Sequence, residues 1–220
     1  MSDHPSGIPQ VVVDKVVGRR GRLHAYPALD PERTALVVVD LDTRTMAHPE
    51  NGAMRALAPN VNAVADALRA RGGTVAWVTT PIREASPNFI ALYGEAFARM
   101  HEAASGPQGD ATTVWRGLRL ADGDILAEKA GASAFFPGRC DLHERLRARG
   151  IEALLIAGMV TNVCCESTAR DATELGYRVT MISDALWGHK QGQHDATLAT
   201  FYRNFGDVRP TEDVVGLIEG

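Results

Sequence analysis

The sequence predicts an α/β fold in which a parallel sheet is covered by helices on both faces. Short apolar runs rich in β-branched residues, led by Thr34-Ala-Leu-Val-Val-Val-Asp40, alternate with segments whose apolar residues recur at i, i+3, i+4 and i+7. The runs are apolar throughout rather than every second residue, as strands buried on both faces must be. Helical segments separate them, as parallel crossovers require.

The elements follow in order. Residues 34–40 form the first strand. Val61, Val64, Ala65 and Leu68 make one stripe, so residues 59–71 form a helix closed by Gly72-Gly73. Residues 74–80 are the second strand, ended by Pro81, and residues 124–129 the third. A helix over 139–149 carries Leu142 and Leu146 and stops at Gly150. The fourth strand spans 153–158, a helix spans 162–175 up to Gly176, and the fifth strand spans 177–183. Helices over 193–204 and 211–218 complete the chain, the last with Thr211 as N-cap and Glu212 and Asp213 in its first turn. Residues 84–118 interrupt the alternation. Phe89, Leu92, Tyr93, Ala96, Phe97 and Met100 form one helical face before a Gly/Pro/Ser stretch. This segment reads as a lid-like insertion or oligomer contact, or alternatively as an ordinary surface helix. Residues 1–33 form an N-terminal arm without clear periodicity, and residues 34–220 a single domain.

Composition narrows the function. The 220 residues are 45% hydrophobic and 23% charged with net charge −4, ordinary for a globular chain with a full core. The only basic run is Arg19-Arg20-Gly21-Arg22, so neither nucleic acid nor a membrane is an expected partner. No apolar run approaches the roughly 20 residues of a bilayer span, and the first residues lack a signal-peptide layout. Three cysteines, two of them adjacent, make a poor disulfide framework and point to a reducing cytoplasm.

In an open parallel sheet ligands bind beyond the carboxyl ends of the strands. Asp40 follows the first strand, Lys129 the third, and Cys164 lies just past the fourth. A base, a cation and a thiol thus converge on one edge. Taken singly, each has a plainer reading: a turn cap, a solvated lysine, a packed cysteine. At a strand-to-helix turn, Cys164 faces free backbone N–H groups and the positive end of a helix dipole, which favour thiolate. Cys165 shares a small-residue face with Thr168, Ala169 and Ala172, fit for packing on the sheet. Cys164 is therefore the nucleophile candidate.

These residues also carry a resemblance. Residues 34–40, Lys129-x-x-x-Ser133-Ala134-Phe135, Gly158-Met-Val-Thr161-Asn-Val-Cys164-Cys-Glu166-Ser-Thr168-Ala-Arg-Asp171-Ala172 and Ser183-Asp184-Ala185 resemble the isochorismatase-like cysteine hydrolases over roughly residues 33–215. That family includes nicotinamidases and the N-carbamoylsarcosine and ureidoacrylate amidohydrolases. The resemblance implies a Rossmann-like three-layer sandwich with a mostly parallel six-stranded sheet. It also implies an Asp40–Lys129–Cys164 triad, a cis peptide at Met159–Val160, and an oxyanion hole from the N–H groups of Val160 and Cys164. The expected activity is hydrolysis of a small amide or ureido compound through a thioester, in a homo-oligomer (dimer or tetramer).

The chain departs from the family at two places. Relatives often read Asp-Met-Gln-Asn-x-Phe after the first strand, where this chain has Asp40-Leu41-Asp42-Thr43-Arg44-Thr45. Arg44 reads either as an anion contact or as a solvated arginine. Zinc-dependent nicotinamidases carry Asp-x-His beyond the second strand, and Thr80-Pro81-Ile82-Arg83-Glu84 has no histidine. With His48, His101, His189 and His194 scattered, no metal or other cofactor is expected. Ser86-Pro87-Asn88-Phe89 resembles the ureidoacrylate branch, making Asn88 and Phe89 substrate candidates. Phe135, Trp187, His189 and Gln191 are further candidates, with core packing the alternative for the two aromatics. A vinyl-ether hydrolase of the same fold would not need Cys164, and a catalytically idle scaffold would not need the triad.

Overall fold

The computed structural model describes residues 4–46, 52–81, 86–103 and 114–220, and its centre is a six-stranded, wholly parallel sheet. The strands are β1 (Thr34–Val39), β2 (Thr74–Thr79), β3 (Ile125–Glu128), β4 (Ala153–Met159), β5 (Arg178–Trp187) and β6 (Asp207–Arg209). Their order is β3-β2-β1-β4-β5-β6, so the winding reverses between β1 and β4. Residues 35 to 39 pair with Thr74–Val78 and residues 34 to 39 with Ala153–Gly158, which places β1 at the centre of the sheet.

Alternate strand residues fill two cores. Val37, Val39, Ile156 and Met181 point to one face, against Val13 and Val16 of α1 (Gln10–Arg20) and Leu142 and Leu146 of α7 (Leu142–Ala148). Ala169 and Ala172 of α8 (Glu166–Glu174) and Leu198 and Phe201 of α9 (Gln191–Asn204) complete that layer. Leu36, Val38, Trp77 and Leu155 point to the other face, against Val61, Val64 and Leu68 of α4 (Ala58–Ala70) and Val214 and Ile218 of α10 (Thr211–Glu219). The three-layer sandwich expected from the sequence is therefore present. Short helices α2 (Thr43–Met46) and α3 (Gly52–Arg55) follow β1, and α5 (Pro87–Tyr93) and α6 (Glu95–Ala103) follow β2.

Several sequence expectations need revision. The segment read as an arm without periodicity contains α1, and Ile8, Val13 and Val16 are buried in the core. The helical face over 89–100 is broken into α5 and α6 at Gly94, whose φ of 82° favours glycine. Part of the 84–118 segment, together with His48, lies outside the described residues, and so does the side chain of His101. The fifth strand runs on to Trp187 past an irregularity in which four residues of β5, 182–185, stand against the single Ala157 between its pairings with Ile156 and Gly158. Thr211 is not the N-cap of α10 but its first helical residue. The cap comes from β5, where Asp184 accepts from the Thr211 N–H at 2.8 Å and hydroxyl at 2.7 Å. No helix among the described residues is long and apolar enough to cross a membrane.

Candidate active site

The switch between β1 and β4 opens a crevice at the carboxyl ends of the strands, and three groups from distant segments meet there. Asp40 ends β1 with φ 57°, a left-handed conformation that aspartate tolerates better than most residues. Its N–H still bonds the Val78 carbonyl at 2.8 Å, so the turn is held by the sheet. Lys129 ends β3, where its N–H bonds the Thr79 carbonyl at 2.9 Å. β3 lies two strands from β1, roughly 10 Å at ordinary strand spacing. The long lysine side chain crosses the end of β2 to reach Asp40, with Nζ 2.8 Å from Oδ2.

The residue at the crossing is Thr80. Its hydroxyl accepts from Lys129 Nζ at 2.8 Å and donates to Asp40 Oδ1 at 2.8 Å, tying acid and cation into one closed network. Nζ also donates to the Gly131 carbonyl at 3.0 Å and lies 3.5 Å from Cys164 Sγ. The lysine side chain is only 1% exposed, against 17% for that of Asp40. Thr80 was missed in the sequence because a threonine after a strand carries no chemical signal of its own. We expect Thr80→Val to lower kcat/KM about 10- to 100-fold with the melting temperature nearly unchanged. Thr80→Ser should restore most of the loss, and steady-state kinetics beside thermal melts would check both.

The cysteine turn is built from β4 outward. Gly158 has φ 114°, and a Cβ there would lie 2.1 Å from the Val39 carbonyl oxygen, so only glycine lets β4 close onto β1 at this level. The Met159–Val160 peptide is cis, as the resemblance implied. Residues Thr161–Cys165 form a π-type turn that feeds α8. Two contacts pin this turn to α9. Thr161 Oγ1 lies 2.9 Å from His194 Nδ1, and Glu166 Oε2 accepts from the Thr197 hydroxyl at 2.9 Å. Burial lowers the His194 pKa, against an opposing pull from Asp195, so this histidine serves the turn as a neutral partner. Cys165 is fully buried with Ala169 and Ala172, and Cys164 is partly buried at the rim.

One electrostatic expectation is reversed. Burial, reinforced by the Asp40 carboxylate, pushes the Cys164 thiol up to about 12 despite the opposing pull of Lys129. The resting residue at neutral pH is a thiol, and a helix N-terminus does not offset its desolvation. Burial draws the Lys129 pKa down, but Asp40 and Cys164 more than offset it and the net shift is upward, so the lysine stays charged. The arrangement is a protonated thiol within hydrogen-bond reach of a carboxylate, itself held by a buried ammonium.

Beside this network lies a cleft of about 610 Å³ whose walls include Asn88, Phe89, Tyr93, Ser133, Ser167 and Asp171. The lining stops short of Asp40, Lys129 and Cys164 themselves, but Asn88 and Phe89 belong to it. Phe135 does not: it is 3% exposed and packs in the core 5.6 Å from the Tyr177 ring. Its position is fixed by the loop fold, since the Ser133 hydroxyl accepts from its N–H at 3.0 Å. Arg44, Trp187, His189 and Gln191 are not among the residues lining the cleft. Arg44 pairs with Asp42 at 3.3 Å, Trp187 packs 4.6 Å from the His189 ring, and Gln191 Nε2 donates to Asp195 at 2.7 Å. Val160 sits half-buried at the start of the turn, its carbonyl accepting from Val163 and Cys165.

The sequence of the Isochorismatase domain family matches residues 34–213, which span every strand and the whole crevice. The uncharacterized isochorismatase family protein YwoC of Bacillus subtilis is 31% identical over 189 residues, covering 84% of this chain and 94% of that protein. The ureidoacrylate amidohydrolase RutB of Rhizobium rhizogenes is 32% identical over 209 residues, covering 84% and 83%. A cysteine hydrolase from Pseudomonas syringae superposes with a TM-score of 0.76 at 26% identity, covering 90% of this chain and 97% of its own. With that match over most of its length, and the sheet order and crevice described above, the chain belongs to the isochorismatase family of hydrolases.

Proposed function

We propose that this protein is a cysteine-dependent amidohydrolase that cleaves an amide or ureido C–N bond of a small molecule. The observation that carries the reading is Cys164 Sγ 3.5 Å from Lys129 Nζ, with Nζ in turn 2.8 Å from Asp40. The likeness to a ureidoacrylate amidohydrolase and to a cysteine hydrolase supports it.

The chemistry follows from the protonation states. Sγ attacks the carbonyl carbon while its proton passes to Asp40, so the C–S bond forms without a free thiolate beforehand. The N–H groups of Val160 and Cys164 would hold the oxyanion, each such donor contributing about 3–4 kcal/mol. Asp40 hands the proton to the departing nitrogen, the C–N bond breaks, and a thioester remains. Water then adds to the thioester, Asp40 takes its proton, and the C–S bond breaks with the proton returned to Sγ. Lys129 holds the Asp40 carboxylate in position between steps. The reading carries with it a homo-oligomer, to which the exposed Leu92, Tyr93 and Phe97 of α5 and α6 would contribute. It favours amide over vinyl-ether cleavage because the thiol stands inside the network.

Ammonia release across carbamoyl, ureido and small carboxamide compounds tests the activity, with mass spectrometry of acid-quenched enzyme locating an acyl adduct on Cys164. Turnover of none of them, with no adduct, would overturn the reading. The raised thiol pKa gives a second check. Below it, alkylation of the free enzyme by iodoacetamide should climb about tenfold per pH unit, starting slow at pH 7. A fast, pH-independent reaction between pH 7 and 9 would mean a preformed thiolate and remove Asp40 as the proton acceptor.

A further inference from the structure

Three charged groups that the proton chemistry does not use line the cleft: Asp171, Arg139 and Arg170. Asp171 stands seven residues after Cys164, two helical turns along α8 and roughly 10 Å down its axis, and it lines the cleft. Its carboxylate has no hydrogen bond or ion pair among the described residues. Arg139 also lines the cleft, from the loop between β3 and α7. Its guanidinium makes one contact, Nη1 to the Ala130 carbonyl at 3.3 Å, which leaves most of its donors free among the described residues. Arg170 is largely committed: it pairs with Glu166 at 2.5 Å and its guanidinium lies 4.4 Å from the centre of the Phe205 ring, with Nε left buried and unpartnered among the described residues. Asp171 and Arg139 do not pair with each other, although they share one cleft. An unpaired anion and an unpaired cation in the same partly enclosed space are complementary to a ligand bearing both charges.

The loop carrying this cleft is also tied to the nucleophile. Gly131 accepts from Lys129 Nζ at 3.0 Å, and the Ala134 N–H bonds the Thr168 hydroxyl at 3.1 Å, one turn beyond Cys164. The loop that lines the cleft is thus hydrogen-bonded both to the lysine and to the helix that follows Cys164.

We propose that the substrate is amino-acid-like, with its ureido or amide carbonyl at Cys164 and an amino-carboxylate head some five or six bonds away. Asp171 takes the ammonium and Arg139 the carboxylate. This rests on the amidohydrolase reading, and the two fail differently.

Four ureido compounds of one spacer length separate the charges: citrulline with both, 5-ureidopentanoate with the carboxylate, 4-ureidobutylamine with the ammonium, and n-butylurea with neither. Citrulline should exceed n-butylurea in kcat/KM by at least about 100-fold, mostly through KM. Asp171→Asn should cost citrulline and 4-ureidobutylamine about 10- to 100-fold while sparing 5-ureidopentanoate. Arg139→Gln should cost citrulline and 5-ureidopentanoate and spare 4-ureidobutylamine. Calorimetry of citrulline on the Cys164→Ser protein should show the same losses without turnover. Equal turnover of the four, equal losses across them, or turnover of neutral carboxamides without citrulline binding would overturn the proposal and leave the amidohydrolase reading standing. No ammonia from any amide would overturn that reading instead.

Discussion

Cys164→Ser is expected to lower kcat/KM by about 10⁴-fold or more, the scale of loss when a covalent nucleophile is removed. A serine hydroxyl is a far weaker acid than the thiol, and the carboxylate at Asp40 is too weak a base to ionise it. Cys165→Ser is the matched control. It puts a hydroxyl into a fully buried apolar site against Ala169 and Ala172, at a cost of about 1–3 kcal/mol in stability. Turnover per folded molecule should survive. Ammonia-release kinetics and thermal melts on the two variants check both halves. A dead Cys165→Ser enzyme with normal melting, or an active Cys164→Ser enzyme, would reverse the assignment of the two cysteines.

Lys129→Met should be nearly as damaging, and through stability as well as rate. The side chain is 1% exposed and its Nζ serves Asp40, Thr80, Gly131 and Cys164 together. Without it, Asp40 retains the Thr80 hydroxyl and the Cys164 thiol as partners but no cation among the described side chains. Breaking a buried pair costs about 3–5 kcal/mol because the surviving charge is left without compensation. We expect a stability loss of that order in denaturant melts and a fall in kcat/KM of about 10³-fold or more. Asp40→Asn added to Lys129→Met should recover much of the stability, since no lone charge remains, and none of the activity. If the double variant is as unstable as the single, the lysine acts by packing rather than by charge.

The sheet was legible because its strands are buried on both faces and announce themselves as apolar runs. From strand ends alone, Asp40, Lys129 and Cys164 could be assigned to one edge, since parallel strands place all their carboxyl ends together. Short or tertiary-dependent features were not legible. β6 has three residues, too few for a pattern, and β5 beyond Ser183 continues past a bulge that only its pairing with β4 reveals. The α1 stripe is weak because only Val13 and Val16 of its five valines are buried. Burial itself was the larger gap. Whether Phe135 faces the cleft or the core, and whether Cys164 rests as thiol or thiolate, depends on how much protein surrounds each group. Thr80, Arg139 and Asp171 were missed for the same reason: what they contact is set by strand order and loop packing.

Asp40 sits at φ 57°, where a side chain costs about 1 kcal/mol relative to glycine. Its position beside a buried ammonium constrains it further. Glycine there would relieve that strain but leave the Lys129 ammonium buried without its carboxylate, at about 3–5 kcal/mol, so the aspartate is held in place by stability as well as by chemistry. Drift at position 40 is therefore opposed by folding itself, and a lineage of this fold selected only for stability would keep its base.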